Sequence, residues 1–298
     1  MPNPLPFTSA PFSAAIEQTV SSYLGQVWCI EEFHDLHDLS SHPAAILSNG
    51  SYSVFAKLSD AANGLEQLEV EVAGLRTLSQ LAHVAVPTVI GLVECAGGVV
   101  MLQEAVQSVE RSAEQWRQIG RTLATIHRIK GKRFGSESQG YFGPLYQDNR
   151  PVDDWATFFA ERRLWPRLMS AIDAGHLPSQ LIRQIEKLIA RLPDLCGPRV
   201  EPTLLHGDAQ QNNFISTPTG TVVIDPAVYY GNPEIDLAYV DYFQPVPDDL
   251  FAGYQESQPI DPGFWERRDL WRIYAHLAIV TLDESWLPQL QTAVQKYL

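Results

Sequence analysis

The apolar positions of the chain change their period about a third of the way along. Short β-prone runs occupy residues 27–33, 44–48 and 52–58, and Asn49-Gly50 supplies a tight turn between the last two. Leu65, Leu68, Val72, Leu75 and Leu78 then recur at helical spacing through residue 81. Beyond Pro87, runs at 88–94 and 99–103 flank Ala96-Gly97-Gly98 as another hairpin. This order predicts a small antiparallel sheet carrying one helix. From residue 112 the period is helical, with helices predicted at 112–129, 153–174, 179–191, 234–243, 262–282 and 286–297. The exception is 204–226, where two β-like runs enclose polar residues and the Pro218-Thr219-Gly220 turn. The pattern predicts an α+β protein of two lobes, 1–104 and 105–298, with a cleft between them.

Composition narrows the class. With 298 residues and 45% hydrophobic content, the chain can bury one large core or two modest ones. Its net charge of −14 argues against nucleic-acid binding, which needs Lys and Arg to neutralise phosphates. Cys29, Cys95 and Cys196 are far apart, odd in number and form no Cys-x-x-Cys pair, which favours a reducing compartment. The start of the chain, MPNPLPFTSAPFSAAI, lacks a basic stretch followed by an apolar one. No apolar run approaches the roughly 18 residues of a membrane helix. The expectation is a cytoplasmic protein that engages neither nucleic acid nor membrane.

The chemistry concentrates in one segment. Leu-Leu-His206-Gly207-Asp208-Ala-Gln-Gln-Asn212-Asn213-Phe follows a β-prone stretch and carries a carboxylate and, five residues later, a carboxamide. Val222-Val223-Ile224-Asp225-Pro226 is an apolar strand ending in a second carboxylate. Phosphoryl transfer needs a base or orienter at the acceptor hydroxyl and oxygen ligands for Mg²⁺ on the phosphates. Asp208 suits the first role, and Asn213 and Asp225 suit the second. Taken singly, each piece also reads as a turn or a strand end. Their order and spacing together favour the chemistry.

His-Gly-Asp-x-x-x-x-Asn followed by an apolar strand and Asp resembles the aminoglycoside-phosphotransferase superfamily, which implies the two-lobed protein-kinase-like fold. Asp225-Pro-Ala-Val-Tyr-Tyr230-Gly231-Asn-Pro-Glu234-Ile-Asp236-Leu-Ala resembles its fructosamine-3-kinase (ketosamine-3-kinase) branch more closely still. So does the pattern of Trp155, Phe158, Phe159 and Arg163-Leu164, and the ending from Trp265-Glu266-Arg267 through Tyr274 to Tyr297-Leu298. The resemblance implies an ATP- and Mg²⁺-dependent kinase acting on a hydroxyl of a small sugar-amine. It places Lys57 on the α- and β-phosphates, held by a carboxylate of the following helix. Of Glu66, Glu69 and Glu71, only Glu71 falls within the Leu68–Leu75–Leu78 stripe, and a carboxylate there wants a cation. Adenine is expected against the main chain of Gln103-Glu104-Ala105. Asp236 is expected to brace the catalytic loop, His127 to be a packed structural histidine, and His206, Trp155, Arg163 and Tyr230 to lie on the structural or acceptor side.

Two departures qualify this. The loop at 33–42, expected over the phosphates, holds His34, His37 and His42 but no glycine. Close backbone approach to phosphate is easiest without side chains, so Ser40 and Ser41 are the possible donors. Second, Gln210 and Asn212 stand where the branch has tryptophan and glycine, and Leu277-Ala278-Ile279-Val280-Thr281 lacks its Asn-His pair. The acceptor therefore stays open: a ketosamine, an aminoglycoside or another metabolite. A nucleotide-binding pseudokinase acting as an interaction module is the alternative of another class. Glu234, Asp241, Asp248 and Asp249 line a pocket for a cationic acceptor or form a solvated face.

Overall fold

The structure, a computed structural model, describes residues 6–36 and 42–298. His37, Asp38, Leu39, Ser40 and Ser41, singled out above as a possible phosphate-covering loop, lie outside the described residues.

The first lobe is a five-stranded antiparallel sheet in the order β1-β2-β3-β5-β4. Its strands are β1 (Glu32–Asp35), β2 (Ala44–Ser48), β3 (Ser53–Ser59), β4 (Val89–Cys95) and β5 (Gly98–Glu104). Period-two alternation assigns the two faces. Val54, Ala56, Leu58, Val100 and Leu102 join Phe12, Ile16, Val20 and Trp28 in one core. Val99 and Met101 join Leu68 and Val72 in another on the opposite face. Lys57 falls on this second face, so the alternation that builds the sheet also delivers its ammonium to the helix after β3.

That helix is α2 (Gly64–Thr77), continued by one wide turn at Leu78–Ala82. The first face is covered by a helix absent from the expectation, α1 (Ala10–Leu24), with a proline in its first turn and Gly25 closing it at φ 66°. The strand expected at 27–33 begins only at Glu32. The cause is α1: the Trp28 N–H donates to Ser21 Oγ at 2.9 Å and the Ile30 N–H to Glu17 Oε1 at 2.9 Å. Helix side chains have taken the donors a neighbouring strand would need.

The second lobe is mostly helical. Its elements are α3 (Ala113–Ile126), a hairpin of β6 (Gly140–Phe142) and β7 (Leu145–Gln147), and α4 (Trp155–Phe158), which runs through a wide turn at Phe159–Leu164 into α5 (Trp165–Asp173). Then come α6 (Ser179–Ala190), α7 (Leu192–Leu195), β8 (Thr203–Leu205), β9 (Phe214–Thr217), β10 (Gly220–Val223) and β11 (Tyr229–Gly231). The chain closes with α8 (Glu234–Tyr239), α9 (Asp248–Gln255), α10 (Phe264–Leu282) and α11 (Leu287–Gln295). Helix α9, also unforeseen, presses on α3. A Cβ at Gly120 would lie 2.0 Å from Leu250 O, and one at Gly253 would lie 2.1 Å from Arg117 O. Strands β8–β11 and β9–β10 pair antiparallel and carry the catalytic loop between them.

Candidate active site

The loop between β8 and β9 is held from below. Asp236, fully buried on α8, accepts from the His206 N–H at 2.7 Å and the Gly207 N–H at 2.9 Å. His127 Nε2 meets the same carboxylate at 3.1 Å, and its Nδ1 meets the Tyr254 hydroxyl at 2.9 Å. His206 Nε2 donates to Ile224 O at 2.9 Å, while its Nδ1 accepts from the Asp208 N–H at 3.2 Å. Burial lowers the His206 pKa, in keeping with this neutral tautomer. Gly207, at φ 82°, permits the loop to pass 2.0 Å from where its Cβ would meet Ala227 O. An L side chain cannot occupy that position.

Above this base lie the charges. Asp208, Asp225, Lys57 and Glu71 line one cleft with His42, Gln67, Tyr141 and Gly143. Lys57, 4% exposed, donates to Glu71 Oε2 at 2.8 Å and to Asp225 Oδ1 at 3.1 Å. Burial opposes its charge, but Asp225 and Glu71 outweigh burial and raise its pKa. One cation cannot serve two carboxylates equally. Burial carries Glu71 up to about 8 against the pull of Lys57. For Asp225 burial is outweighed by Lys57 and by the hydrogen bond with Glu71, and its pKa falls. Asp225 also sits at φ 51°, one of only two non-glycine residues with positive φ among the described residues; such backbone costs roughly 1–3 kcal/mol and concentrates at functional sites.

Asp208 is pushed up to about 7, first by burial and then by Asp225. Asn213, 5% exposed, donates its Nδ2 to Asp208 O at 2.8 Å. That bond fixes the amide with its Oδ1 as the remaining ligand atom. Arg111, which the sequence offered no motif to find, donates to Gln211 O at 2.9 Å and Phe214 O at 2.6 Å, bracketing Asn213. Its guanidinium lies 4.7 Å from the Trp116 ring centroid.

Other expected residues fall elsewhere. Trp155 is 6% exposed among Phe134, Phe158, Phe159 and Trp271. Arg163, 1% exposed, donates to Asp148 O and Asn149 Oδ1 and lies 4.2 Å from the Tyr229 ring centroid. Both side chains are buried in the aromatic core, the structural of the two roles that the expectation left open. Tyr230 is half-buried, its backbone paired with Gly135 and its ring against Gly131. Of the four acidic residues proposed for a cationic acceptor, three are paired: Glu234 with Arg267, Asp241 with Arg268 and Arg272, and Asp249 with Arg117. Asp248 is exposed at the start of α9. On the connector, the Glu104 N–H donates to Thr88 O and the Ala105 N–H to Ser53 O. Gln103 is buried and the Glu104 carboxylate accepts from Tyr23 and Tyr52. These two main-chain donors are therefore not free for a base edge, and the expectation is corrected on that point. His34 lies on the exposed edge strand β1 and His42 at the cleft, and no cluster of three or more metal-binding His, Cys, Asp or Glu side chains occurs among the described residues.

A sheet lobe with a buried Lys–Glu pair, over a helical lobe with an Asp-bearing loop and an Asp-ended strand, defines a protein-kinase-like phosphotransferase. A Thermobifida fusca protein named as a fructosamine-3-kinase superposes on this chain with a TM-score of 0.82, at 27% identity, covering 95% of this chain and 98% of that one. The aminoglycoside phosphotransferase APH(4)-Ia shares the fold at a TM-score of 0.58 and 14% identity, over 94% of this chain and 98% of its own. A probable ketoamine kinase of Synechocystis sp. is 30% identical over 263 residues, 87% of each chain. The fructosamine kinase family model matches residues 12–298, and the chain belongs to that family.

Proposed function

We propose that the chain transfers the γ-phosphoryl group of ATP to a hydroxyl of a ketosamine, a sugar bearing an amine-linked substituent. The observation that carries this reading is Asp208: a carboxyl poised at about 7 in a cleft shared with Lys57 and Asp225. A general base works best with a pKa near the operating pH. In this reading Asp208 orients the acceptor hydroxyl and takes its proton, while Lys57 leaves Asp225 to meet phosphate oxygens and stays held by Glu71. Residues 1–104 bind the nucleotide, and 105–298 supply the catalytic and acceptor groups. The base edge is read by connector carbonyls and by N–H groups beyond Ala105.

The residues fit Mg²⁺. Asn213 Oδ1 and the Asp225 carboxylate are oxygen ligands on adjoining segments, tied by the Ile224 N–H donating to Asn213 O at 3.0 Å. Bound Mg²⁺ would neutralise charge on the phosphates. The enclosed part of the cleft is about 60 Å³, well below the several hundred Å³ of a typical ligand pocket. In this reading the two lobes part to admit ATP.

Acceptor choice rests on family membership, because Trp155 and Arg163 pack in the core. The kinase family also sets aside the interaction-module alternative. Side-by-side ADP-release kinetics with fructose-lysine and kanamycin test the proposal, with the phosphorylated product identified by mass. The reading predicts a higher kcat/KM for fructose-lysine. A higher value for kanamycin would reassign the acceptor, and turnover of neither would refute the ketosamine assignment.

A further inference from the structure

Helix α8 carries two polar side chains on one face, Asp236 and, three residues on, Tyr239. Asp236 spends its oxygens on the catalytic loop. Tyr239 spends its hydroxyl on nothing: the side chain is 2% exposed, and its Oη has no hydrogen-bond partner among the described residues. Buried tyrosine hydroxyls ordinarily find one, and an orphan costs roughly 1–3 kcal/mol.

The surroundings show what the hydroxyl faces. The Phe142 ring lies 6.1 Å from that of Tyr239, and Tyr242 packs edge-on at 6.1 Å. Phe142 stands at the tip of the β6–β7 hairpin between Tyr141 and Gly143, which line the cleft together with Asp208. The Asp208 charge is among the influences that raise the Tyr239 pKa, after burial and neighbouring tyrosines. A second orphan lies at the other end of the hairpin. Gln147, 2% exposed, donates Nε2 to the Tyr274 hydroxyl at 2.8 Å, but its Oε1 has no partner among the described residues. Tyr274 in turn packs against Phe142 at 5.4 Å. Gln147 Oε1 has a further orphan, Asn149 Nδ2, close by: a Cβ on Gly140 would stand 3.3 Å from the one and 2.8 Å from the other. The spare group next to Phe142 is therefore the Tyr239 hydroxyl.

The sealing element is light. Strands β6 and β7 form an isolated two-stranded sheet, a unit with little stability of its own. Its turn residue Gly143 has open space around it. Across the cleft, Asn63 Nδ2 donates to the Tyr141 hydroxyl at 3.1 Å, so the hairpin tip is tied to the sheet lobe and would be drawn aside as the lobes part.

We propose that Tyr239 Oη is a polar group of the acceptor site. Displacement of the hairpin tip lets the tyrosine donate to one hydroxyl oxygen of the acceptor, with Phe142 covering the apolar face of the sugar. This deepens the proposed function and rests on it.

The test is Tyr239→Phe, which removes one oxygen and leaves the packing. The expected result is a fall in kcat/KM for fructose-lysine of about 10- to 100-fold, with the KM for ATP unchanged. For Tyr239→Phe, Tm is unchanged or raised, because an orphaned hydroxyl is lost. A kcat/KM within twofold of wild type in Tyr239→Phe overturns the inference, as does a lowered Tm accompanied by equal losses toward ATP and acceptor. Wild-type turnover of fructose-lysine checks the proposed function separately. Where wild type prefers kanamycin, the variant-to-wild-type ratio is read on kanamycin.

Discussion

Two clusters of polar groups flank the catalytic loop, one on each side of Asp208. Below it, every group of Asp236, His127 and His206 has a partner: three backbone N–H groups, a tyrosine hydroxyl, a backbone carbonyl, and the bond between the His127 imidazole and the Asp236 carboxylate. Above it, Lys57 is shared between two carboxylates, Glu71 Oε1 has no partner among the described residues, and Asp225 occupies a strained backbone. The lower cluster is fully sealed, whereas the upper one opens to the cleft at Asp225, whose side chain is 31% exposed. Satisfaction separates them too. A buried network with all its bonds made rigidifies a fold. A cluster that shares one cation between two carboxylates and keeps a spare oxygen is, in the proposed reading, completed by groups it does not itself contain, the phosphates and their cation. On that reading the lower cluster is scaffold and the upper one is site.

The comparison breaks most easily at Asp208, which touches both. Asp208→Asn is expected to lower turnover about 10²- to 10⁴-fold, with ATP affinity within about twofold and Tm unchanged or higher, since burial already disfavours the charge. Steady-state kinetics with parallel calorimetry check this. Next comes the scaffold. Asp236→Ala strands the His206 and Gly207 N–H groups and His127 Nε2, and is expected to cost roughly 3–5 kcal/mol of stability. Denaturant unfolding reads it. A variant of wild-type stability with selectively lost turnover would move Asp236 into the site.

A third prediction concerns acid. His276 bonds the Tyr242 hydroxyl through Nδ1 at 2.8 Å, and burial followed by Arg272 lowers its pKa from 6.5 to about 4. The unfolded chain therefore binds this proton more readily. The contribution of His276 is fully present above about 6.5 and is lost as pH falls toward about 4, up to roughly 3 kcal/mol. His276→Gln is expected to flatten the stability–pH curve across that window, and an unchanged slope counts against it. The smallest effect is expected at Arg111. Arg111→Lys keeps the charge but cannot hold Gln211 O and Phe214 O together. It is expected to raise the Mg²⁺ needed for half-maximal activity about threefold to tenfold, by loosening Asn213; an unchanged Mg²⁺ dependence would confine Arg111 to loop stability.

Much of the upper cluster was legible in the sequence because its parts follow short-range rules. Alternation along Val54-Phe55-Ala56-Lys57 sets the face, the apolar stripe of α2 selects Glu71, and the spacing from Asp208 to Asn213 is the length of one loop. The lower cluster was legible in part: Asp236 and His127 could be assigned from the resemblance, but not the Tyr254 hydroxyl, since α9 is short and was not foreseen. Helix α1 was hidden for a different reason. Its apolar face, Phe12, Ile16 and Val20, is narrow within a run of Ala and Ser, although Pro11 and Gly25 mark its ends. For Trp155 and Arg163 the resemblance left a structural and an acceptor-side role open, because a shared pattern does not separate a buried cation–aromatic core from a pocket. Orphaned atoms such as Tyr239 Oη have no sequence signal, being defined by what fails to reach them in space.

The contrast between site and scaffold is tested most directly by the thermal shift that Mg²⁺ and ATP together produce in wild type and Asp225→Asn. A ligand binding only the folded state raises stability with its concentration over Kd. The account predicts that Asp225→Asn, which gives up a carboxylate that Lys57 holds ionised, melts modestly below wild type without ligand and loses most of the shift that Mg²⁺·ATP gives wild type. A variant that melts well below wild type and still shows the full shift would make Asp225 part of the scaffold and contradict the account.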